Sequence, residues 1–169
     1  MPPASNQESS NATTNPDDDK AMIESEFWEL IGTLPGRVDD LSAEQLTGRL
    51  ASEGPARIIN FADILAEKLY AIDHPVGAEQ LIRDPTAGPS PMTMGDDLFL
   101  YARCAVVAAG KSSWERILNN PAGMAGTWYA FDGEFLLLVA PDAWERVTDT
   151  AYTHESPVSY ETGSNTDNW

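Results

Sequence analysis

One cysteine in 169 residues, Cys104, excludes an internal disulfide framework and a metal site built from several cysteines. Positive charge is nearly as scarce. Ten Lys and Arg stand against 27 Asp and Glu, a formal net charge of -17. Binding to a nucleic-acid backbone or to anionic lipid needs clustered cations, so neither is expected of this chain. No run approaches the roughly 20 apolar residues of a membrane span, and the first twenty residues carry neither the basic start nor the apolar run of a secretory signal. A cytoplasmic location with no membrane partner is the default expectation. Two histidines, His74 and His154, without HxH or HExxH spacing, predict no metal site. The glycines end helices or lie in turns, and neither a phosphate-binding loop nor a nucleophile elbow is written anywhere. No cofactor is expected.

What is present is enough apolar material, 42% of the residues, for one domain with a core. Residues 1–20 contain no Leu, Ile, Val or aromatic residue and cannot bury enough surface to offset ordering, which predicts a disordered tail. A helical domain is expected over 21–152 and a polar, irregular tail over 153–169. The first helix should use Phe27, Leu30, Ile31 and Leu34 as its inner face, with Trp28 at the margin, and end at Pro35 and Gly36. Ser42 with Gln45 reads as a capping box opening a helix that closes at Gly54. Pro55 then suits the first turn of another, whose Ile58, Phe61, Ala62, Leu65, Ala66 and Leu69 follow the amphipathic template. Asp73 to Pro91 is rich in proline and reads as a loop, with at most a short helix over 77–83.

Residues 92–121 are the most explicit stretch. Asp96 and Asp97 stand where a helix takes its N-cap; Leu98, Tyr101, Ala102, Ala105, Val106 and Ala109 recur at helical spacing; Gly110 closes the helix. A second helix follows, with Ser112 and Glu115 as capping box, Trp114, Ile117 and Leu118 as apolar stripe, and Asn120–Pro121 as its stop. Residues 127–139 are divided. Asp132–Gly133 between apolar runs is a hairpin signal, whereas Phe135, Leu138, Val139, Trp144 and Val147 fit a helix broken or kinked at Pro141. The helix is the favoured alternative.

These blocks resemble a bacterial family, the domain of unknown function 4240. The resemblance lies in Phe27, Trp28, Leu30 and Ile31 near the start, in Asp96, Asp97, Phe99, Arg103 and Gly110 later, and then in Trp114, Asn120 and Pro121. It implies a mostly helical domain and supports a helix over residues 134–150. It implies no reaction. The chain departs from the family where a proline-rich loop replaces an aromatic-rich helix and glycine-rich turn before the Asp pair.

The fold class expected is therefore mainly α, a compact single-domain helical bundle with irregular tails. For function, three readings compete. The first is a protein-binding module, regulatory or immunity-like, whose acidic surface engages a basic protein and whose marginal aromatics, Trp114 and Trp144 among them, anchor the partner. The second is a small-molecule binder or enzyme that uses Asp96, Asp97 and Arg103 beside His74 or His154. Against it, the aspartates are explained as helix-terminal charges and Arg103, set among apolar positions, as a structural ion pair or carbonyl cap. The third and weakest is DNA mimicry through spaced carboxylates. Cys104, on a mainly apolar helix, is expected to be a buried, unreactive thiol.

Overall fold

The structure, a computed structural model, describes residues 24–169 in full; the tail expected over 1–20 falls outside them. The chain is mainly helical. Helix α1 (Pro16–Ile31) leads through a turn at Gly36, whose φ of 76° suits glycine, into α2 (Asp40–Ala51). Pro55 opens α3 (Pro55–Ala71), and a single turn, α4 (Pro75–Ala78), follows it. Strand β1 (Ile82–Arg83) precedes the proline-rich loop, then come α5 (Asp96–Ala108), α6 (Lys111–Asn119) and a 3-10 turn at Pro121–Met124. Strand β2 (Gly126–Thr127), α7 (Ala130–Gly133) and α8 (Phe135–Thr148) complete the ordered elements. From Asp149 the chain is irregular.

Helix α5 is the centre of the molecule. Phe99, Leu100, Ala102 and every residue from Arg103 to Ala108 are buried, so the helix is enclosed on all sides rather than along one stripe. Leu98, Tyr101 and Ala109, expected on that stripe, are half-buried at its margin. Helices α3, α6, α7 and α8 surround it, while α2 lies along α8. Two residues of β1 pair in parallel with β2, and Ile82 also exchanges both backbone hydrogen bonds with Met92, tying the loop to the body.

Several capping expectations are corrected. Asp39, not Ser42, caps α2: the Ser42 amide donates to the Asp39 carboxylate at 2.9 Å and the Asp39 amide donates to the Ser42 hydroxyl at 2.9 Å, so Ser42 fills the third helical position of the box. Gly95 holds the N-cap of α5, leaving Asp96 and Asp97 in the first turn as charges against the helix dipole. Gly110, at φ 104°, both ends α5 and begins α6, so Ser112 and Glu115 form no box. Leu118, assigned to the inner stripe of α6, is 40% exposed.

At Asp132–Gly133 the helical alternative holds. Gly133 ends α7, and its φ is not among the positive ones. A Cβ there would lie 2.1 Å from the Tyr101 carbonyl oxygen and 2.9 Å from its carbon, so glycine is needed for the backbones of α7 and α5 to touch. Asp84, fully buried, fixes the other end of α7 by accepting from the Phe131 amide at 2.9 Å and from the Thr86 amide and hydroxyl at 2.8 and 2.7 Å. Burial alone raises its pKa, but these donors outweigh it and hold the carboxyl below its ordinary value. Helix α8 then runs unbroken through Pro141.

Two glycine substitutions should therefore move stability in opposite directions. Gly133→Ala drives a methyl into backbone and should cost about 3 kcal/mol or more. Gly48→Ala, inside α2 with nothing within 4 Å of the added carbon, should stabilise by about 0.5–1 kcal/mol. Thermal melts of both variants, monitored by circular dichroism, read the difference; equal effects would contradict the close α5–α7 approach.

Candidate functional site

The buried C-terminus of α3 sets the geometry of everything C-terminal to α8. A helix leaves its last four carbonyls without intrahelical donors. Here three of them are met by side chains from three different segments: Trp114 Nε1 donates to Lys68 O, Arg103 Nη1 to Leu69 O and Asn165 Nδ2 to Tyr70 O, each at 2.9 Å. Arg103 is fully buried, and its cation lies at the negative end of the α3 dipole, over the Phe99 ring. Its Nη2 donates to Tyr160 O at 2.9 Å and to the Thr162 hydroxyl at 3.2 Å. Burial lowers the pKa of the guanidinium, and the nearby Asp73 carboxylate, 4.0 Å away, opposes that shift.

Asp73, also fully buried, completes the clamp. Its carboxylate accepts from the Gly163 amide at 3.2 Å, the Asn165 amide at 3.1 Å and Trp169 Nε1 at 3.1 Å, and its carbonyl accepts from Asn168 Nδ2 at 3.0 Å. The C-terminal residues are therefore docked, Trp169 included, although that ring remains 49% exposed. Upstream, His154 Nε2 and Asp63 Oδ1 are 2.6 Å apart, joining the segment to α3. Along the segment Tyr152, His154, Ser156, Val158 and Tyr160 are half-buried and alternate with more exposed neighbours. This is the alternation of an extended strand, present without a partner strand.

Beneath that strap lies a cleft of about 380 Å³. Leu65 of α3 and Leu137, Ala140 and Pro141 of α8 form its floor; Tyr152, His154 and Tyr160 are among its strap-side walls, with Glu155 and Glu161 beside them. Burial pushes the Tyr152 hydroxyl up to about 12, assisted by the Asp63 charge. Tyr160 is shifted the same way by burial, with Glu161 adding to it. Trp144, Tyr152 and His154 form an edge-to-face series leading into the cleft, at centroid separations of 6.1 and 6.2 Å.

The residues singled out in the sequence fall in different places. Arg103 is committed to the clamp, and no hydrogen bond or ion pair joins its side chain to Asp96 or Asp97, which are both exposed. The one link is indirect: the Thr162 hydroxyl that accepts from Arg103 donates to the Asp96 carbonyl at 2.8 Å. Trp114 is buried beside Lys68, whose ammonium lies over its ring. Trp144 is half-buried, its Nε1 on the Thr150 hydroxyl at 3.2 Å. His74 caps α4 by accepting from the Val76 amide at 3.1 Å. Cys104 is fully enclosed, and burial pushes its thiol up to about 12, which keeps it from acting as a nucleophile near neutral pH. Among the described residues no group of three or more His, Cys, Asp or Glu is arranged to hold a metal ion, and no helix is long and apolar enough to cross a membrane.

Tyr152 was expected only as one of the marginal aromatics, and Asp63, Asp73, Tyr160 and Asn165 were not singled out. The strap alone carried a readable signal, the period-two placement of its aromatic and apolar residues; Asp73 and Asn165 act across more than 90 residues of sequence.

Asp73→Asn removes the counter-charge of a buried guanidinium and one acceptor of the strap. It should cost about 3–5 kcal/mol by denaturant unfolding and open residues 151–169 to limited proteolysis before the helices are cut. Cleavage no faster than in the wild type would contradict the clamp.

No curated protein and no solved structure matches the chain. A family model described as protein of unknown function DUF4240 matches residues 22–146, which runs from within α1 through most of α8 and excludes the strap. The chain belongs to that family.

Proposed function

We propose that this protein is a protein-binding module whose acidic face engages a basic partner, in a regulatory or immunity-like role. The observation that carries the reading is charge segregation. Residues 131–169 contain eight acids, Asp132, Glu134, Asp142, Glu145, Asp149, Glu155, Glu161 and Asp167, against a single Arg or Lys, Arg146. That arginine already pairs with Glu44 at 2.5 Å. The Tyr101 hydroxyl is raised first by burial, and the charges of Glu134, Asp97 and Glu161, from the α7–α8 joint, α5 and the strap, add to the shift together with Cys104. None of the three carboxylates has a cationic partner among the described residues. The half-exposed Phe131 and Leu138, on α7 and α8, supply apolar contact area on the same pair of helices.

Unpaired carboxylates around a part-buried aromatic suit a cationic surface, since such a field speeds association and selects against acidic partners. The reading that joins Arg103 to Asp96 and Asp97 has no observation in its favour, because the guanidinium is enclosed and bonded within the chain.

An arginine-rich peptide titrated into isotopically labelled protein tests the proposal. Amide shifts should concentrate at Asp97, Glu134 and Glu161 and their neighbours and vanish at high salt. The triple variant Asp97→Asn, Glu134→Gln, Glu161→Gln should weaken binding about tenfold, from three exposed charges of about 0.5 kcal/mol each. Shifts spread evenly over the acidic surface, or unchanged affinity in the triple variant, would contradict it.

A further inference from the structure

The cleft beneath the strap shares only Glu161 with the acidic face, and its chemistry selects a different kind of ligand. Its volume, about 380 Å³, lies in the range of small-molecule sites. Its floor is aliphatic, from Leu65, Leu137, Ala140 and Pro141, so a ligand must bring an apolar body. Its charged lining is acidic: Glu155 and Glu161 line it beside the hydroxyls of Tyr152, Ser156, Ser159 and Tyr160, and among the described residues no Lys or Arg contributes to it. The imidazole of His154 is already engaged by Asp63.

Helix α8 adds an acceptor of its own. Pro141 has no N–H, so the Leu137 carbonyl one turn earlier lacks its intrahelical donor, and both residues line the cleft. Among the described residues no side chain donates to that carbonyl. A backbone acceptor on a lining residue, and carboxylates and aromatic rings among the other lining residues, are the complement of an ammonium group, which offers three N–H donors and a charge. An anion would meet the charges of Glu155 and Glu161 with hydroxyls but no Lys or Arg to offset the repulsion, and a neutral alcohol would use neither the charge nor the π faces.

We propose that the cleft formed by α3, α8 and the strap binds a small primary amine with an apolar chain or ring, its body against Leu65, Leu137 and Ala140 and its ammonium among Glu161, Tyr160 and the Leu137 carbonyl. This site does not rest on the basic-partner reading. The strap that builds its outer wall lies beyond the residues matched by the family model, so the site joins family helices to a segment outside that match.

The test is a titration of the full chain by NMR at fixed, near-physiological salt with four probes of one chain length: hexylamine, hexyltrimethylammonium, hexanol and hexanoate. Hexylamine should move the ring signals of Tyr152 and Tyr160 and bind about tenfold more tightly than hexanol or hexanoate; the trimethylated cation, without N–H donors, should fall between. Ala62→Phe, on a cleft-lining residue of α3, should abolish the effect while leaving the helical circular dichroism unchanged. Glu161→Gln should weaken hexylamine several-fold. If Ala62→Phe perturbs the fold, Ala140→Leu fills the same cleft from α8 and is read in its place. Hexanol binding as tightly as hexylamine, shifts scattered over the acidic surface, or retained binding in a folded cleft-filling variant would each overturn the assignment. Asp97→Asn with Glu134→Gln should leave hexylamine binding intact while weakening the arginine-rich peptide, so the two proposals fail separately.

Discussion

A buried guanidinium at the end of a helix is the constraint on which the rest of the structure depends. Placing Arg103 at 0% exposure costs several kcal/mol in lost hydration, an expense that attraction to Asp73 at 4.0 Å does not by itself offset. The offset comes from hydrogen bonds to groups that would otherwise be orphaned. Leu69 O needs a donor because α3 ends there, and Tyr160 O needs one because the strap has no partner strand. Asp73 in turn serves the strap amides of Gly163 and Asn165. Each part is costly alone, and together they satisfy one another except at Arg103 Nε and Asn165 Oδ1, which have no hydrogen-bond partner among the described residues, so the arrangement acts as a single cooperative unit.

That unit explains why an irregular segment can form the wall of a site. A polar strap over residues 151–169 buries little apolar surface and would fray if held by hydrophobic contact alone. Held at Asp63 by His154 and at Asp73 and Arg103 by residues 160–165, it can span the intervening distance and leave a cleft beneath. The same attachment fixes Glu161, which lines the cleft and whose charge, with those of Asp97 and Glu134, acts on Tyr101.

The helices were legible in the sequence because their signals are local. Pro55 at the start of α3, Gly110 between α5 and α6, and the Ile58 to Leu69 periodicity all mean in the structure what they mean in isolation. The capping residues misled because several polar residues near each helix start could serve, and the choice among Asp39 and Ser42, or Gly95 and Asp96, depends on where the preceding turn delivers the chain. Asp132–Gly133 divided the local reading for a different reason, although the favoured helix is what forms: its glycine answers a backbone contact with Tyr101 on another helix, a requirement invisible within any local window. Arg103 was legible as a structural cation, but its partners lie 34 and 57 residues away. The cleft was not legible, since α3, α8 and the strap become neighbours only when the clamp closes.

Native-state hydrogen exchange of the wild-type chain tests the central claim most directly. The amides of Gly163 and Asn165, in a segment without helix or sheet, should exchange as slowly as those of the buried helix α5 and open with the same free energy, because their acceptor is the buried Asp73 carboxylate. Exchange of these two amides at the rate of a free loop, while α5 stays protected, would mean that the strap is not clamped and that neither the cleft nor Glu161 has the support described.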